Sequence, residues 1–219
     1  MTISAKFVFI SFAILCCLGR PIDGFAAKKK GGGKKNVASS AKGFGTKAPS
    51  FDEVVASFKT RMGNNAVNER CPCGSGLNYG DCCSPYHSGA KFPEVPLAVL
   101  KTRYSAFFFR LIPYIIATTH PVNRDFNPDK VKWAKELNKN GMFDSFEFVS
   151  LEPGEASPGK DDNEAFIEFR VKLRAKDGSR EETIISEKSR FLSEEGKWLY
   201  ASGEVRSEVA GLEDAVLNQ

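Results

Sequence analysis

The chain has 219 residues, 42% hydrophobic and 26% charged, a globular balance whose length fits one domain plus attachments. Its net charge of +4 is unevenly spread: residues 1–50 hold nine Lys/Arg against the single acid Asp23, which gives them +8 and leaves −4 for the rest. The basic character belongs to the leader, and this argues against a folded body built as an electrostatic nucleic-acid binder.

Residues 1–24 start with a basic Lys6 and continue through Phe7 to Leu18, a run that is apolar except for Ser11. A bilayer span needs about 20 such residues. The run is too short for that and has the character of a secretory signal peptide, removed together with Cys16 and Cys17. No stable membrane insertion is expected after cleavage. Residues 25–49 are dominated by Lys, Gly, Ala and Ser, and no acid occurs from Phe25 to Phe51. Such a segment buries too little apolar surface to offset its ordering entropy, so it is expected to be disordered. A signal peptide followed by a basic, hydroxyl-rich stretch, with Phe25 just past the cleavage point, resembles the two-part plastid presequence of algae with secondary plastids. The resemblance implies delivery to the chloroplast stroma. Plain secretion and a polyanion-binding arm are the alternatives.

Residues 50–66 predict a helix. Ser50 and Glu53 form a capping box, Phe51, Val54, Val55, Phe58 and Met62 share one stripe, and Gly63-Asn64-Asn65 ends it. Residues 67–92 hold "CPCGSGLNYGDCC", four cysteines in thirteen residues. From 93 to 206 the chain predicts helices and then strands. Pro96 opens a helix carrying Leu97, Leu100, Tyr104 and Phe107 or Phe108. Pro113 breaks or restarts it, and Pro121 ends it. A further helix is expected over 127–141, with Asn127 as cap, Pro128 opening and Gly141 closing. After about 143 the period changes to two. In "IEFRVKLRA" (167–175) Ile167, Phe169, Val171, Leu173 and Ala175 face one way, as in a half-buried strand. Strands before and after it, with Asp-Gly and Glu-Glu-Gly turns, complete a meander of about four. Residues 207–219 are a C-terminal tail. The class is α+β, with helices packed on one face of a curved antiparallel sheet.

Cys71, Cys73, Cys82 and Cys83 supply four thiolates, and Gly74-Ser75-Gly76 lets the second pair fold back onto the first. Zinc takes four such ligands in a tetrahedron at about 2.3 Å. Disulfides are the alternative, although a bond between adjacent Cys82 and Cys83 is strained. A closed four-cysteine site leaves no position for water, so a zinc there is structural and not catalytic.

"CPCGSGLNYGDCC" resembles the SEC-C motif, which ends the translocase ATPase SecA. There it binds zinc and docks partner proteins. "CCSPYHSGAKFPEVPLAVLKTRYSAF", "ATTHP" and "SEKSRFLSEEGKWLYASG" are similar to the YchJ family, in which the motif precedes a nuclear-transport-factor-2-like domain, a cone of helices wrapped by a curved sheet. Together these stretches cover roughly residues 68–203. "FFFRLIPYII" is more apolar, and carries a proline, where that family usually has a short polar joint. The resemblance implies zinc binding and the cone fold.

The mouth of such a cone is a natural ligand site. The candidates are Arg103, Tyr104, Tyr114, His120, Glu187 and Ser189. Ile185, Glu187, Ser189 and Phe191 share a strand face, and Arg103 can pair with Glu187. The structural reading of the same residues is an ion pair closing the barrel, with His120 bonded to the last carbonyls of its helix. His87 is expected to brace the cysteine loop or lie exposed, and Phe107-Phe108-Phe109 to be core. No Ser-His-Asp set, phosphate loop or dinucleotide fingerprint is present. The chain is therefore expected to act by binding a protein or ribosomal partner through the cysteine motif. A small enzyme or ligand carrier using the cone, and an RNA-binding knuckle, are the alternatives.

Overall fold

The computed structural model describes residues 48–139, 142–179 and 181–208. The expected signal peptide, transit segment and most of the C-terminal tail lie outside them. The elements are α1 (Phe51–Ala56), α2 (Ser84–His87), α3 (Pro96–Phe109), α4 (Ile112–Ala117), α5 (Lys130–Asn138), α6 (Met142–Ser145), β1 (Phe146–Pro158), β2 (Glu164–Ala175), β3 (Glu182–Glu194) and β4 (Lys197–Glu208). Among the described residues no helix is long and apolar enough to cross a membrane.

The strands form one antiparallel sheet in the order β1-β2-β3-β4. Its register places Ile167, Phe169, Val171 and Leu173 on the buried face, with Glu168 and Arg170 outside. The β3–β4 turn carries Glu195 and Gly196 at φ 51° and 76°, the left-handed pair that a two-residue hairpin with strand-matched twist requires. Register shifts at Phe148/Ser150, Pro153/Ala156 and Arg190/Phe191 bend the sheet. α3 lies across it, packed against β1, β2 and β4. Phe107 stacks between Phe143 and Phe148, with centroids 5.9 and 6.3 Å away.

The helices differ in detail from their prediction. The Ser50–Glu53 capping box is formed, but α1 stops at Ala56. Ser57 turns back to bond the carbonyl of Val54 through both its amide and its hydroxyl. The chain then leaves the helical path, Arg61 N–H donating to the carbonyl of Phe109, and Met62 is exposed. α5 is capped by Asp129, which accepts from Lys132 N–H at 2.9 Å. Asn127 instead accepts from the Asp129 amide, so the cap stands two residues later than predicted. α3 ends where Arg110 turns left-handed (φ 59°). Its guanidinium holds that turn by bonding the carbonyl of Asn138 and the carboxylate of Asp144. α4 restarts at once with Pro113 in its first turn.

Gly203 faces Ser189 across β3–β4. A Cβ there would collide with the Glu187 carboxylate and lie 2.6 Å from the Tyr200 hydroxyl. Both groups are buried and hydrogen-bonded to each other, so they cannot simply swing away. Gly203→Ala is expected to destabilise the fold by about 1–3 kcal/mol, read as a lower urea midpoint with an unchanged slope.

Candidate metal centre

The cysteine loop begins as a short antiparallel bridge between Arg70 and Asn78. Cys71 N–H donates to the carbonyl of Leu77, and Tyr79 N–H to that of Glu69, both at 2.8 Å. Between them Gly74 and Gly76 sit at φ 78°, where other residues are strained. Tyr79–Asp81 then form a 3₁₀ turn that delivers Cys82, and Cys83 stands at the start of α2, its carbonyl accepting from the amides of Tyr86 and His87. Gly80 passes so close to Val67 that a Cβ would stand 2.9 Å from the Val67 carbonyl oxygen.

This path brings all four Sγ atoms within 4.8 Å of one another. The Cys73–Cys82 and Cys82–Cys83 separations are 3.5 and 3.9 Å. A tetrahedron with metal–sulfur bonds of ~2.3 Å has sulfur–sulfur edges of about 3.8 Å, so the donor set fits a closed four-sulfur site. The disulfide alternative is not realised, since all four cysteines are free. Cys71, Cys73 and Cys83 are buried and Cys82 is half-buried. Sulfurs packed this closely cannot all be thiolates by themselves. A hydrogen bond with Cys73 raises Cys71 to about 11, the same kind of contact with Cys71 and Cys73 raises Cys83, and Cys73 is driven down as the shared acceptor. A cation at the centre would take the place of those shared protons.

Side chains outside the four ligands hold the loop. Ser75 Oγ lies 3.1 Å from Cys82 Sγ. Ser105, on α3, donates to Cys83 Sγ at 3.3 Å and lies 3.7 Å from Cys71 Sγ. His87 braces the loop, as expected. Burial keeps its imidazole below the usual value and hence neutral. Its Nε2 donates to the Thr102 carbonyl (2.9 Å), and its Nδ1 accepts from the Tyr79 hydroxyl (2.7 Å). Tyr79 in turn packs on Phe109, centroids 4.7 Å apart. The Phe107–Phe109 run thus divides between two cores, Phe107 facing the sheet and Phe109 facing the cysteines.

The six residues proposed for a pocket in the cone are not all brought together at one place. Arg103, Tyr104, Glu187 and Ser189 do meet, around a small cavity of about 10 Å³, room for a single water at most. Arg103 stacks 4.6 Å over the Tyr200 ring and donates to the carbonyl of Ile115 and the hydroxyls of Thr118 and Thr119. Burial lowers its guanidinium to about 10, opposed by Tyr200, Tyr114 and Glu187, so it stays charged at neutral pH. Glu187 accepts from Ser189 (2.5 Å) and Tyr200 (3.1 Å). Tyr200, which sequence reasoning missed, therefore links the two charges. Tyr114 turns away: its hydroxyl donates to Thr102 and its ring meets His87 edge-on at 4.5 Å. His120 is not at a helix end. It lies past α4, accepts from the Val122 amide, and pairs with Glu194 at 2.9 Å. Outside the cone an open groove of about 850 Å³ runs between α2, α4 and the β3–β4 turn, with Tyr86, His87, Phe92, Tyr114 and Trp198 on its walls. Of the six sequence candidates only Tyr114 borders it.

The chain matches the SEC-C motif over residues 68–85 and the family described as YchJ, middle NTF2-like domain, over residues 95–203. A UPF0225 protein of Pectobacterium carotovorum is 33% identical over 137 residues, 63% of this chain and 84% of that protein. One of Serratia proteamaculans is 35% identical over 139 residues, covering 62% and 82%. The solution structure of a SEC-C motif containing protein from Rhodopseudomonas palustris aligns with a TM-score of 0.52 at 28% identity, covering 62% of this chain and 98% of that one. With the sulfur cluster preceding a helix-covered four-stranded sheet, these similarities make the chain a member of the YchJ (UPF0225) family of SEC-C motif proteins.

Proposed function

We propose that the chain is a structural zinc protein that acts by docking a protein partner on the outer surface of its SEC-C loop. The observation that carries the metal is the set of four sulfurs within 4.8 Å, a soft tetrahedral donor set with no position left for water or substrate. Cys71, Cys73, Cys82 and Cys83 would hold the ion. The ion would supply folding energy to a loop too small to have a core of its own. The small size of the cavity inside the cone, about 10 Å³, supports binding over catalysis there. The loop presents two aliphatic side chains to solvent, Val67 and Leu77, 49% and 54% exposed. A fixed, rigid loop offers such anchors at little entropic cost. The ribosome is a partner of the same kind if a ribosomal protein supplies the contact. Direct RNA binding finds less support, because residues 51–219 carry −4. The second reading, a small-ligand protein, has one observation in its favour, the aromatic-walled groove of about 850 Å³. We also infer from the leader that the chain is delivered to a plastid stroma, where thiols stay reduced.

Three measurements test these readings. The purified chain should contain one zinc per chain by elemental analysis under reducing conditions, and Cys73→Ser should lose it; a wild-type protein without stoichiometric metal refutes the zinc reading. Leu77→Asp and Val67→Asp should keep the zinc but lose at least tenfold in crosslinking to partners, whereas full retention of partners by both variants would sink docking on the loop. Residues 1–50 fused to a fluorescent protein should carry it into plastids, and uniform secretion of the fusion would replace that reading with the simpler one.

A further inference from the structure

We propose that Ser105, a residue of α3 outside the cysteine motif, is a positioning residue of the metal centre, gripping Cys83 and Cys71 and tying the sulfur tetrahedron to the cone; this rests on the zinc reading above. Ser105 is 0% exposed. Its hydroxyl has three neighbours: Cys83 Sγ at 3.3 Å, Cys71 Sγ at 3.7 Å and the carbonyl of Lys101, one turn back, at 3.1 Å. A hydroxyl carries one proton. A helix carbonyl already accepts a backbone amide, whereas a thiolate offers a full charge, and a charge-assisted bond is the stronger one. Alanine is the better helix former and fits any site that serine fits. A wholly buried serine on this helix therefore has a polar reason, and the only charged acceptors within reach are sulfurs.

The arrangement is two-sided. Ser75, inside the motif, covers Cys82. Ser105 covers the opposite pair and is supplied by the domain on which the loop rests. Partners that hydrogen-bond to metal ligands orient them and offset part of their charge, and their loss typically costs about 10–100-fold in metal affinity. Because α3 also packs on three strands of the sheet, the grip couples metal occupancy to the cone.

The test is chelator competition on the full chain loaded with zinc or cobalt(II). Ser105→Ala is expected to weaken metal binding about 10-fold or more and to shift the sulfur-to-cobalt charge-transfer band. The melting temperature of the metal-free protein should stay as in wild type, a result that a purely packing role does not give. Ser105→Thr should retain affinity that Ser105→Val, its isostere without the hydroxyl, loses, so the comparison stands even if alanine perturbs folding. Affinities within twofold across these variants, with an unchanged cobalt spectrum, would overturn the proposal. A wild-type chain that bound neither metal would instead sink the zinc reading, and this one with it.

Discussion

Helix α3 is buried on both sides, and the rest of the molecule is arranged around that constraint. Leu100, Arg103, Tyr104 and Phe107 face the sheet, while Thr102, Ser105 and Phe109 face the cysteine loop. A surface helix needs one apolar stripe; a helix between two cores has no free face. Three of its buried polar residues, Thr102, Arg103 and Ser105, are partnered within the protein. Thr102 serves Tyr114 and, through its carbonyl, His87. Ser105 serves the sulfurs. Arg103 is spread over a ring, a carbonyl and two hydroxyls. Each of these would be costly to bury alone, and each instead fixes α3 against a neighbour.

The metal centre is therefore less a detachable finger than a wall of the domain. The loop's hydrophobic cluster is small, Ala66, Tyr79, Phe109 and the cysteines with Phe108 and Leu111 against them, and folding of such units is bound up with the metal. Here the free energy of a bound ion would reach the cone, because the loop and α2 meet α3 through the Tyr79–Phe109 ring contact and the hydrogen bonds of His87 to Thr102 and of Ser105 to Cys83. The interior of the cone is filled by the same economy of space. Tyr200 lies beneath the Arg103 guanidinium and donates to Glu187, filling what would otherwise be a mouth.

Much of this was legible in the chain, for reasons that differ by element. The strands announced themselves because one face is wet and the other dry, which imposes period two on 167–173. The cysteine spacing was legible because few arrangements of four thiols in thirteen residues satisfy a tetrahedron. The capping box was local and was found. The failures are those of distance. Ile185, Glu187, Ser189 and Phe191 do share a buried face, but a face says nothing about whether space lies above it, and Tyr200 and α3 fill that space. His120 finds its carboxylate on Glu194, across the sheet turn, where no local pattern could place it. Ser105 hid for a related reason: on a helix buried all round, periodicity does not separate a residue serving one core from a residue serving the other. α1 was overextended because the stripe continued to Met62 although the Ser57 hydroxyl had already turned the chain.

The outer groove follows from the same coupling. One of its walls is α2, whose first turn hangs from the carbonyl of Cys83, a member of the sulfur cluster. The facing wall is the β3–β4 turn, set by two left-handed residues and tied down by the His120–Glu194 pair. Tyr114 also lines it, held by Thr102 and touching His87. The width of the groove is thus fixed from one side by the sulfur centre and from the other by the sheet. Two rigid anchors preserve a concave surface that hydrophobic collapse would otherwise close, and they explain how a chain with a filled cone still carries an open, aromatic-walled hollow beside its metal site.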